Sequence, residues 1–259
     1  MSISEHDSED LRYAKSLLEN PGLAVKITNV LGKSIEKGFG LLPENFNAVV
    51  NSASKKALEV ALDTAMVSID KKPEQTSWNI SHKIAVAMSG GVGGFMGLPG
   101  LAIELPISTT IMLRSIIDIA RSEGEVITDP HTKTACIEVF ALGGSSQSDD
   151  SSETGYFAIR AVLSRSVAEA AEYIAQKGIV EEGAPIILRL ITKVAARFGV
   201  QVSEKIAAQA IPIVGAIGGA VINTLFIDHF QDMARGHFIV RRLERIYGSD
   251  EVKKEYGRF

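Results

Sequence analysis

Apolar residues recur along this chain at spacings of three and four, and most of the runs they form end at glycine or proline. The pattern predicts helices over 11–19, closed by Asn20-Pro21; over 23–37, stopped by Gly38; and over 44–69, behind Pro43. In the third, Val49, Val50, Ala53, Ala57, Val60 and Ala61 share one face, which makes the helix amphipathic. Asp129 followed by Pro130 is an N-cap with proline at the first helical position, and the helix it opens runs to Leu142, ahead of Gly143-Gly144. Further helices are expected over 106–123, 156–177, 185–198 and 212–247, the last three ending at Gly178, Gly199 and Gly248. No stretch alternates with period two for long enough to make a strand. The fold class that follows is all-α, a single helical bundle of about eight to ten helices.

Segment 143–155, GGSSQSDDSSETG, has no apolar residue and can add nothing to a core. It separates two halves, 1–142 and 156–259, of one domain spanning 1–259.

Two stretches carry almost no charge. Between Lys83 and Arg114 the one charged residue is Glu104, and the 22 residues between Lys205 and Asp228 contain none. About 20 apolar residues suffice to cross a bilayer. Pro99, Gly100 and Pro106 interrupt the first stretch, however, and Gln209, Pro212 and Asn223 dilute the second. The favoured reading is two glycine-rich central helices, apolar all round because they are buried or in reversible contact with a membrane. Gly90 with Gly94, Gly93 with Gly97 and Gly215 with Gly219 lie four apart, a spacing that lets another backbone approach.

Composition narrows the function. A balance of 27 basic to 31 acidic residues, net −4, is not the footprint of a nucleic-acid binder. The mean hydropathy of +0.14 lies between those of ordinary globular and integral membrane proteins. A lone cysteine, Cys136, excludes an internal disulfide or a multi-cysteine zinc site and suits a reducing cytoplasm. The first residues, MSISEHDSEDLRYAK, do not read as an export signal.

The residues with most chemical promise are Asp228, His229 and Asp232, which the helical period places on an inward arc with Ile239, Val240, Leu243, Ile246 and Tyr247. A buried carboxylate needs a partner, and Arg235 follows Asp232 by three residues. The preferred reading is a buried polar network of Asp228, His229, Asp232, Arg235 and Asn223. The other is a metal or acid–base site of Asp228, His229 and Asp232, with Glu104 as a further candidate. No zinc-binding spacing is present, so no cofactor is expected and a divalent metal is not favoured. His237 reads as a packed histidine, and Glu104 as a cap on a helix starting at Pro106. GLPG at 97–100 lacks the lysine and hydroxyl of a P-loop, and Ser108, Thr109 and Thr110 have no base at an interpretable distance, so no catalytic residue is assigned. Arg114, Asp118 and Arg121 read as a solvated ion-pair stripe, and Arg189, Lys193 and Arg197 as the basic face of a surface helix.

On two long blocks the chain resembles the bacterial EcsC-like family. One is GGFMGLPGLAIELPISTTIMLRSIIDIARSEGE at 93–125, followed by CIEVFALGG; the other is IPIVGAIGGAVINTLFIDHFQDMARGHFIVRRLERIYG at 211–248. The resemblance implies a hydrophobic helical protein, linked by gene neighbourhood to an ABC transporter, with no established activity and no catalytic residues to carry over. The expected function is therefore a non-enzymatic protein, cytoplasmic and peripheral on the inner face of the cell membrane, whose partner is the membrane surface or a membrane complex. A metal-dependent hydrolase or lipid-modifying enzyme at Asp228, His229 and Asp232, or a soluble lipid carrier, is the alternative.

Overall fold

A computed structural model describes residues 3–19, 22–32, 34–69, 97–144, 155–177, 184–211 and 215–259. Among them every regular element is helical: α1 (Glu5–Leu18), α2 (Leu23–Leu31), α3 (Glu36–Phe39), α4 (Phe46–Ile69), α5 (Gly97–Ser122), α6 (Pro130–Glu138) with a 3-10 turn (Val139–Ala141), α7 (Gly155–Lys177), α8 (Pro185–Gln209), α9 (Gly215–Tyr247) and α10 (Ser249–Tyr256). The all-α class is as the hydrophobic period requires.

Helix α9 is the axis of the bundle, packed by α1, α2, α5, α8, α10 and the 3-10 turn, while α4 lies against α5 and α8. Its buried face is set by Phe226, Phe230, Met233, His237 and Val240, at helical spacing. Phe226 and Phe230 join Phe198 of α8 and Phe140 of the 3-10 turn in a four-ring cluster, with centroids 5.1 to 6.2 Å apart at the close pairs.

Asp129 caps α6 by accepting from the His131 amide at 3.0 Å, with Pro130 in the first turn, as its sequence demands. Other boundaries moved. The run 23–37 is broken at Gly32, whose φ of 62° makes it the left-handed C-cap of α2. Gly199 does not end α8; it lies inside the helix, where a Cβ would meet Asn51 Oδ1 of α4 at 2.7 Å. Its smallness serves packing there. Helix α5 begins at Gly97 and passes through Pro106. Proline costs the helix a bond to the Ala102 carbonyl, but Ala102 is exposed to water, and the Thr110 hydroxyl satisfies the Pro106 carbonyl at 2.8 Å. Helix α10 was not expected at all.

The uncharged stretch between Lys205 and Asp228 is divided between the end of α8 and the start of α9, so it is not one helix. Among the described residues no helix is long and apolar enough to cross a membrane. Of the proposed packing glycines, Gly90, Gly93 and Gly94 lie outside the described residues, and Gly97 and Gly215 begin α5 and α9. Among the described residues, a Cβ on Gly219 would meet nothing within 4 Å. Close approach occurs elsewhere: at Gly236, against Ala14 and Leu18 of α1, and at Gly38, against the Ala207 backbone of α8.

Candidate functional site

The acidic residues expected on the inner arc of α9 do not converge. Asp228 is exposed, on the side opposite the Phe226, Phe230 and Met233 face. The inward arc was misplaced in part: Ile246 on it is exposed, although Ile239, Val240 and Leu243 are buried. Asp232 lies at the edge of the core, 3.1 Å from Lys26 Nζ of α2 and 3.7 Å from Arg235 Nη1. Asn223 is half-buried and accepts from Gln209 at 3.4 Å. The network proposed for these residues therefore reduces to Asp232, Lys26 and the exposed Arg235.

His229 is buried, but among the described residues neither ring nitrogen has a hydrogen-bond partner. Burial, helped by the Lys26 charge, pushes its pKa down to about 3, so the imidazole is neutral. Gly143, with φ at 72°, lies against the ring: a Cβ there would come within 2.6 Å of His229 Cε1 and 2.5 Å of Met233 Sδ. Among the described residues no three His, Cys, Asp or Glu side chains gather as a metal would need. Asp228 faces solvent while His229 is buried, so the trio Asp228, His229 and Asp232 does not gather at one point.

Glu104 is no cap. It lies inside α5 and accepts from Lys205 Nζ of α8 at 2.7 Å, and that ammonium sits 4.9 Å from the centre of the Phe226 ring. The lysine is buried, and its stem crosses the core to reach the carboxylate. Asp118 and Arg121 pair at 3.0 Å on the surface, as the stripe reading required.

A denser polar cluster, which the sequence analysis missed apart from His237, joins α6, α7 and the C-terminal half of α9. The Tyr156 hydroxyl lies 2.9 Å from His237 Nδ1, and Glu138 Oε2 lies 3.9 Å from His237 Nε2. Arg160 makes two bonds to Glu244, at 2.7 and 3.0 Å. Glu125 accepts from Arg241 at 2.8 Å, from Thr132 at 2.8 Å and from Arg245. Burial pushes Glu138 up to about 7 even though Arg160 and Arg241 oppose the shift. Burial also drives His237 well below the ordinary histidine value, and the same two arginines add to it. Glu138 falls in the block CIEVFALGG, where its apolar neighbours, all buried, were the signal that an acid there would be buried too.

At the opposite end of the bundle four helices meet. Gly38 against Ala207, Glu104 with Lys205, and Gln209 with Asn223 bring α3, the start of α5, the end of α8 and the start of α9 together. Beside these contacts Phe39, Leu41, Ile103 and Val221 are exposed, Ile103 by 68% and Leu41 by 59%. A slot between α4, α6, α7 and α8, lined by Leu62, Ile137, Ile174 and Leu190, has room for little more than one water-sized sphere, which disfavours a lipid cavity there.

The described helices define an all-α bundle whose longest helix carries a dense ion-paired cluster along its C-terminal half. The sequence model of the EcsC protein family matches residues 9–243, and the chain belongs to that family. Comparison with curated proteins gives no match, and neither does comparison with solved structures.

Proposed function

We propose that the protein is a non-enzymatic helical protein that docks peripherally on the cytoplasmic face of the cell membrane, where an ABC-transporter complex would be its neighbour. The observation that carries this reading is the group of large apolar side chains at one end, Phe39, Leu41, Ile103 and Val221. Isolated exposed apolar residues need no explanation, but these four flank a single junction of α3, α5, α8 and α9. The ion pairs of Arg160, Arg241, Arg242 and Arg245 crowd the other end of α9. Such an end dips into the headgroup boundary without spanning it.

Flotation of the full chain with vesicles of phosphatidylethanolamine and phosphatidylglycerol tests the reading. Half-burying a Leu, Ile or Phe side chain yields about 1 kcal/mol. The triple variant Phe39→Ser, Leu41→Ser, Ile103→Ser is therefore expected to bind about a hundredfold more weakly than the parent. Failure of the parent to float, or equal binding by the variant, would refute it.

A further inference from the structure

Glu138, His237 and Tyr156 lie in a line across α6, α9 and α7, each at most 4% exposed. One end of the line is made, by the 2.9 Å contact between the Tyr156 hydroxyl and His237 Nδ1. The other is open, for among the described residues His237 Nε2 has no hydrogen-bond partner, and Glu138 Oε2 stands 3.9 Å away. The charged groups facing Glu138 are Arg160 of α7 and Arg241 and Glu244 of α9. Arg160 is held by Glu244 and Arg241 by Glu125, so each guanidinium already has its own carboxylate.

We propose that Glu138 and His237 form a proton-coupled tautomer switch that joins α6, α7 and α9. With Glu138 protonated, its O–H donates to His237 Nε2, and the Nδ1–H of the ring donates to the Tyr156 oxygen. When Glu138 loses its proton to solvent, the ring proton moves to Nε2 and donates to the carboxylate, and the Tyr156 O–H turns to donate to Nδ1. One proton leaves overall, the imidazole is neutral in both states, and every ring nitrogen has a partner in each. The 3.9 Å separation exceeds hydrogen-bond length by about 1 Å, and the switch requires the Glu138 carboxyl to close that gap. Burial of Glu138 places its titration near 7, and burial of His237 keeps the ring from taking a second proton. Because Tyr156 stands in the first turn of α7, the switch reorients a hydroxyl at the start of that helix.

Long-range 15N correlation spectra of the imidazoles, recorded from pH 5.5 to 8.5, test this, with His237 assigned by loss of its signal in His237→Asn. The ring is expected to pass from the Nδ1–H to the Nε2–H tautomer with a midpoint near 7. In Glu138→Gln, whose amide donates at every pH, it should stay Nδ1–H throughout. One unchanging tautomer in the parent, or a switch that persists in Glu138→Gln, would overturn the proposal. Should that variant fail to fold, the 13C titration of the Glu138 carboxyl in the parent decides: a midpoint matching the tautomer change supports the switch, and separate midpoints refute it.

Discussion

Removing the Glu104 carboxylate is the sharpest perturbation of the end where α3, α5, α8 and α9 meet. The Lys205 ammonium lies 2.7 Å from Glu104 on a side chain only 6% exposed, whereas Glu104 is 33% exposed. Stripping one partner from a fully buried pair costs about 3–5 kcal/mol, because a desolvated charge is left behind. Here water reaches the carboxylate side and the Phe226 ring remains under the cation, a contact worth about 0.5–2 kcal/mol. Glu104→Ala is therefore expected to cost about 2 kcal/mol, a fall in melting temperature of roughly 4–8 °C for a chain of this size. Adding Lys205→Met removes the stranded charge and fills the same space, so the double variant should recover most of the loss. Urea unfolding of the parent, both single variants and the double variant measures the coupling. A Glu104→Ala cost below about 0.5 kcal/mol, or a double variant no more stable than Glu104→Ala, would refute this account.

Two further outcomes follow from the packing and electrostatics. Gly236→Ala puts a Cβ 2.6 Å from Leu18 Cγ and 3.0 Å from the Ala14 carbonyl; about 1–3 kcal/mol should be lost, with amide exchange in α1 rising more than elsewhere, and a neutral result would mean that α1 does not dock as described. His229, with an ordinary value of 6.5 and a folded value of about 3, binds its proton more readily unfolded, so its contribution to stability is full above pH 6.5 and drains away as pH falls toward 3. Glu138 and Glu204, both pushed up to about 7 by burial, act in the opposite sense, each withdrawing stability as pH rises from about 4.5 to 7. From pH 4 to pH 6 the urea midpoint of His229→Leu should therefore rise less, or fall more, than that of the parent, because the variant keeps the loss from Glu138 and Glu204 without the gain from His229; an identical change in both would show that His229 is not the acid-sensitive group.

The helical class, the Asp129 cap and the amphipathic face of α4 were legible because each depends on neighbours within one or two turns. What was not legible depends on partners far along the chain. Gly199 looks like a helix stop until Asn51 of α4 arrives against it, and Glu104 looks like a cap until Lys205 is seen across from it. On α9 the period was right and the phase wrong: aromatic residues at 226 and 230 set the buried side, so Asp228 turns outward while His229 turns in. The same period would have placed His237 with Phe226 and Phe230, but nothing in the helix itself reveals that Tyr156 and Glu138 meet it there.

The two ends of the described chain are tied to each other. Ser8 bonds Glu255, Lys15 bonds the Tyr256 carbonyl, and the Tyr247 hydroxyl donates to Asp7 at 2.6 Å, links that span about 240 residues. During synthesis α1 therefore emerges with its Leu11, Ala14, Leu17 and Leu18 stripe uncovered, and it waits roughly 12–46 s, at about 5–20 residues per second, for α9 and α10 to follow. For that interval the nascent chain presents a sticky amphipathic segment to whatever is near the ribosome. Loss of α10 would be felt first in α1.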